Sequence, residues 1–250
     1  MIQAELPTTR DENWRYADGA VLANLDPDVL EQWDDFTVAA GATDRRTVVA
    51  GGAGPELIRV RVTVGDGATA ELFGVVAGEA YARLEVVVSL GQGAHFQFGG
   101  VTIGGGDAVR EIVTRMDHAL PDATSDQVIR AVHWGTATGN FLGRIDVARH
   151  AQKTDAAQDF KGLILERGAA TNARPELEIY ADDVKCAHGA SIGQLDENAR
   201  FYMAARGLPP ELARKLLVQA FIGDAFAALE DEDEQARLMD VALAALGDRA

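Results

Sequence analysis

The 250 residues carry a formal net charge of -16 and a pI of about 4.6, with 47% hydrophobic and 25% charged side chains. That hydrophobic share suits a folded core, while the acidity removes the basic footprint that nucleic acid or an anionic membrane surface requires. The lone cysteine, Cys186, excludes an intramolecular disulfide and a Cys-only zinc site and points to a reducing, cytoplasmic setting.

The chain opens on a polar arm, residues 1–25, broken by Pro7, Thr8 and Thr9, with Trp14 and Tyr16 as candidate anchors. Its start holds no apolar signal core, and no later stretch nears the ~18 apolar residues of a membrane span, so a soluble cytoplasmic protein is expected. From Asp26 to Phe36, Pro27 at a helix start and Val29, Leu30 and Trp33 at helical spacing predict a short helix.

Between about Thr47 and Leu195 the period is two. In ELIRVRVTV, Ile58, Val60, Val62 and Val64 alternate with Arg59, Arg61 and Thr63; ARLEVVVSL repeats the pattern, and AHFQFGGVTI, VIRAVHW, GLILERG and ELEIYADDV follow. Alternation of this kind marks half-buried strands, and glycines such as Gly65–Gly67 and Gly104–Gly106 mark the turns. A long run of short strands fits a sandwich, a barrel or a solenoid with irregular rungs, and periodicity does not choose among them.

After Leu195 the period becomes helical. A capping Asp196 opens DENARFYMAARG, which Gly207 closes; Pro209 and Pro210 then start a second helix. In that helix Leu212, Leu216, Ala220 and Gly223 form one stripe and Leu217, Phe221 and Ala225 its neighbour, one for the core and one for a partner. The acidic run Glu230–Glu234 suits a solvated turn or the acidic first turn of a last helix. The division is therefore an arm with a short helix (1–45), a β core (46–195) and a C-terminal α-helical domain (196–250), a β plus α protein without βαβ alternation.

Catalytic motifs are missing. The glycine-rich segments VAGGAGPE and IGGGDAV match neither a phosphate loop nor a dinucleotide turn, and the five histidines, His95, His118, His133, His150 and His188, form no HExxH pair. His95 and His133 fall in strands and define an alternative, an all-β metal-dependent enzyme or small-ligand binder. The densest constellation is Cys186 and His188, two apart at the end of a predicted strand and so on one face. A thiolate and an imidazole there can bind zinc, iron or an iron–sulfur cluster, although spacing alone favours a packed Cys beside a hydrogen-bonded His.

The segment around that pair, LEIYADDVKCAHGASIGQLDENARFYMAARG, resembles the C-terminal motif of the SufB/SufD family, in its SufD branch. There a strand ending ADDVxCxHGAT precedes a G-x-(L/I)-D turn and an FY-containing helix ending RG; Ser191 stands where the family has Thr. Upstream, FLGRIDVARHAQKTDAAQDFKGLIL resembles the family's F-x-G-x-I-x-V…AQ-x-T-x-A-x-Q segment, and DENWRYAD resembles its EEWRYTD arm. The resemblance spans roughly residues 140–225 and the arm. It implies a right-handed parallel β-helix with a C-terminal helical domain. It also implies a non-catalytic scaffold of iron–sulfur cluster assembly, paired with a SufB-like companion or with its own copy. A SufC-like ABC ATPase would bind the tail. By the same resemblance, His188, with Cys186 second, would hold a transient iron–sulfur cluster at the subunit junction.

Overall fold

The computed structural model describes residues 6–246; the outermost residues of the predicted arm and tail lie outside that range. Twelve strands follow one another: β1 Asp34–Val38, β2 Thr43–Ala50, β3 Glu56–Val64, β4 Thr69–Val76, β5 Ala82–Leu90, β6 His95–Gly104, β7 Val109–His118, β8 Thr124–His133, β9 Thr138–Val147, β10 Asp155–Ile164, β11 Ala170–Ile179 and β12 Lys185–Gly193. Odd strands form one parallel sheet, A, in the order β1-β3-β5-β7-β9-β11. Even strands form the other, B, in the order β12-β10-β8-β6-β4-β2. The chain thus winds through six turns of a parallel β-helix, which decides among the three architectures that alternation allowed.

Alternation supplies the inside of the coil. Val60, Val62 and Val64 of β3, Leu84, Val86 and Val88 of β5, and Phe96 and Phe98 of β6 are buried in one continuous core. Rung length varies: Glu56 pairs with Ala82, but Thr138 pairs with Ala170. That drift hides the repeat from the sequence. The repeat survives at one corner, where Gly41, Gly67, Gly93, Asp122 and Lys153 take positive φ in successive turns. Each donates its N–H to a carbonyl in the next turn, as Gly67 does to Gln92 at 2.8 Å. Glycine takes that conformation without strain; Asp122 and Lys153 hold it at a cost.

The predicted helix from Asp26 to Phe36 is corrected. It spans only Pro27–Glu31 (α2, after a single turn α1, Gly19–Leu22), and Phe36 belongs to β1. Asp26 caps α2, but Phe36 and Val38 alternate inward against Val62 and Val64, so pairing with β3 overrides the helical spacing. The arm lies on the outer face of sheet A. Trp14 stacks on the Arg83 guanidinium at 3.8 Å and so engages as expected, whereas Tyr16 engages through its backbone carbonyl, which accepts from Asn140 at 3.0 Å. Fully buried Arg83 also meets Glu111 at 3.2 Å, and Tyr81 donates to the same carboxylate at 2.6 Å.

The tail comprises α3 Glu197–Ala205, α4 Pro210–Gly223 and α5 Glu232–Leu246, with a 3-10 turn Asp224–Phe226 between the last two. Asp196 caps α3 and Gly207 follows it with φ of 85°, as its sequence indicates. α4 and α5 lie on the outer face of sheet B, where Phe73, Val75, Val101 and Ile103 join Val218, Ile222 and Phe226 in a second core. Val218 and Ile222 are fully buried there, with Ala225 and Phe221 of the second predicted stripe beside them. Leu212 and Leu216 of the first predicted stripe remain exposed. The close seat of the tail requires Gly99, since a Cβ there would stand 1.9 Å from the Ala225 carbonyl oxygen.

Candidate functional site

The two ends of the β-helix are treated differently. At the first turn, inward positions carry Asp34 and Arg46, which pair at 2.7 Å, and the Arg46 guanidinium lies 4.7 Å from the Phe36 ring centroid. Inward charge at a sheet edge discourages another strand from adding there. At the last turn, β12 pairs with β10 alone and runs Lys-Cys-Ala-His-Gly-Ala-Ser-Ile-Gly, exposed at every residue except half-buried Cys186. Its neighbour β11 carries Pro175, which lacks a ladder donor. Ile179, Tyr180 and Ile192 are large apolar side chains exposed around this end.

The sequence places Cys186 and His188 at the end of a strand, whereas they open β12. The turn through Asp182 and Asp183 separates them from β11. Their shared face is as expected, because Cys186 registers with buried Ala156 and His188 with buried Gln158. Cys186 packs against the core, and burial, with Asp155 nearby, pushes its thiol above the ordinary range. It is a poorer thiolate than a free cysteine, and the exposed imidazole of His188 is the more available ligand.

The alternative histidine pair does not converge. His95 faces outward from sheet B, where its Nδ1 meets Thr124 Oγ1 at 2.7 Å, whereas His133 faces inward and is fully buried. Among the described residues no group of three or more His, Cys, Asp and Glu is placed to hold a metal ion. Nor is any helix among them long and apolar enough to cross a membrane.

His118 and His133 line the interior. Burial lowers the pKa of His118 to about 4 and, with Arg110 nearby, that of His133 to about 3. Unfolded histidine titrates near 6.5, so between that value and the folded values the unfolded chain binds more protons. Their contribution to stability is complete above pH 6.5 and shrinks as the pH falls, by about 2 kcal/mol each at pH 5. Urea denaturation at pH 7 and pH 5 should show that loss, and His118→Gln should recover part of it. Equal stability at both pH values would refute the assignment.

Residues 48–221 match the family model described as the SUF system FeS cluster assembly SufBD core domain. The iron–sulfur cluster assembly protein SufD of Escherichia coli is 35% identical over 54% of this chain and 31% of its own length. A SufBD family protein of Synechocystis is 38% identical over 47% of this chain and 26% of its own. SufD of Bacillus subtilis is 33% identical over 41% and 23%, respectively. The aligned part of the chain thus spans about a third or less of the length of these relatives.

Proposed function

The chain belongs to the SufB/SufD family, and from that premise we propose that it is a non-catalytic scaffold subunit of an iron–sulfur cluster assembly complex. It pairs through the free edge of β12 with a SufB-like companion, and its tail binds a SufC-like ABC ATPase. A nascent cluster is cargo at the junction, held by His188 with Cys186 second.

The observation that supports this reading most is the contrast between the ends, one sealed by Asp34 and Arg46, the other a strand whose inward positions, Cys186, His188, Ala190 and Ile192, carry no fixed charge. An exposed strand edge of that kind is where a partner strand adds. The tail offers a second, separate surface: Phe201 and Tyr202 of α3 are 76% and 57% exposed, and Leu212 and Leu216 of α4 are exposed as well. A groove between α4 and α5, lined by Leu216, Ala220, Gln235 and Met239, continues it.

Anaerobic co-expression with the candidate companion and ATPase tests both surfaces. All three chains should co-purify. Ile192→Lys should release the companion and keep the ATPase, since a charge on the edge strand opposes pairing; Leu216→Glu should do the reverse. If neither variant loses a partner, the proposed surfaces are wrong.

A further inference from the structure

One inward column of sheet B runs, turn by turn, through Leu72, Phe98, Gln127, Gln158 and His188. It is apolar at first and becomes amide and then imidazole towards the free end. Gln127 is fully buried and Gln158 only 2% exposed. Thr114 of the facing sheet donates its hydroxyl to Gln127 Oε1 at 2.7 Å. Gln127 Nε2 and both amide atoms of Gln158 have no partner. An unpartnered buried amide is costly, and a leucine fills the same column at Leu72 without that cost.

No described side chain of the facing sheet hydrogen-bonds Gln158. Its Nε2 lies 2.2 Å from where a Cβ on Gly143 would stand, and the next residue of that facing column is Pro175. Within its own column, the neighbour in the last turn is His188. Paired strands lie roughly 4.8 Å apart, so an amide and an imidazole in adjacent turns are within hydrogen-bonding reach. A neutral imidazole has one N–H and one lone pair. A histidine that ligates metal through the lone pair usually donates the other N–H to a fixed acceptor.

We infer that Gln158 is the positioning residue for His188: its amide oxygen accepts the interior-facing N–H and leaves the lone pair of the outward nitrogen free for iron. Gln158 Nε2 then donates to Gln127 Oε1, whose second lone pair remains after the bond from Thr114. The chain Thr114–Gln127–Gln158 so fixes the tautomer of His188 from inside the coil. The role in ligation rests on the function proposed above; the tautomer does not.

The test uses the full chain, 15N-labelled at histidine, with the His188 ring signals assigned by their loss in His188→Ala. Q158L removes the acceptor and Q158E retains it. The wild type and Q158E should share one dominant tautomer, and Q158L should lose it. Thermal stability should not follow that order, because glutamate buries a carboxylate where leucine buries only apolar surface. In the anaerobic complex, Q158L should retain cluster roughly tenfold less well, and Q158E should restore it. An unchanged tautomer in Q158L overturns the inference, as does a Q158E chain that behaves like Q158L. If Q158E fails to fold, Q158L against the wild type decides alone. Normal cluster yield in His188→Ala would instead defeat the proposed ligation and leave the tautomer result standing.

Discussion

Phe226→Ala is expected to lower the unfolding free energy by about 3–5 kcal/mol, a large part of the total stability of a domain. Phe226 is fully buried between the tail and the outer face of sheet B, in the cluster that also holds Phe73, Val101 and Ile222. Truncating it opens a cavity that β4 and β6 cannot close, because their backbones are held by the parallel ladders on either side. Nearby polar ties cannot compensate. Arg130 bridges Asp159 at 2.7 Å and Asp224 at 3.2 Å, but both carboxylates are about half exposed, and such pairs contribute little. The control is Phe201→Ala on α3, where the ring is 76% exposed and the change should stay within about 0.5 kcal/mol. Urea denaturation of both variants measures the difference. A loss below about 1 kcal/mol for Phe226→Ala would mean that the tail is not part of the folded unit.

That integration was only half legible in the sequence. The strands were plain where one face is apolar, as in ELIRVRVTV, because Val60, Val62 and Val64 alternate with solvent-facing residues. The covering of sheet B also had a signal: LFGVV of β4 and GGVTI of β6 are apolar at outward as well as inward positions, which an uncovered sheet would not tolerate. The first turn escaped notice because Asp34 and Arg46 occupy inward positions and break the pattern where they seal the end. The stripes on α4 were legible in part: Phe221 and Ala225 of the second pack on sheet B, whereas Val218 and Ile222, which are fully buried there, belonged to neither.

The site was legible by motif and not by geometry. Cys186 and His188 share a face, as the spacing of two requires, but nothing in the linear order connects them with Gln158 or Gln127. Those residues sit about 30 positions apart in turns of unequal length, and only the register of the parallel ladder stacks them. Buried polar columns inside a β-helix are invisible until the rungs are counted.

His188→Ala is the second large effect expected, this time on cargo and not on stability. The side chain is exposed on the last strand and fills no core position, so the fold and the pairing edge should survive its removal. Loss of the imidazole removes the more available ligand, and Cys186, half-buried with its thiol held above the usual range, cannot replace it. Cys186→Ser should have a smaller effect for the same reason. The direct measurement is iron and acid-labile sulfide per complex, with the visible charge-transfer absorbance, after anaerobic co-purification with the companion and the ATPase. The account predicts an intact complex in which His188→Ala lowers iron and sulfide together by roughly tenfold or more. An intact His188→Ala complex with the wild-type iron and sulfide content would contradict it.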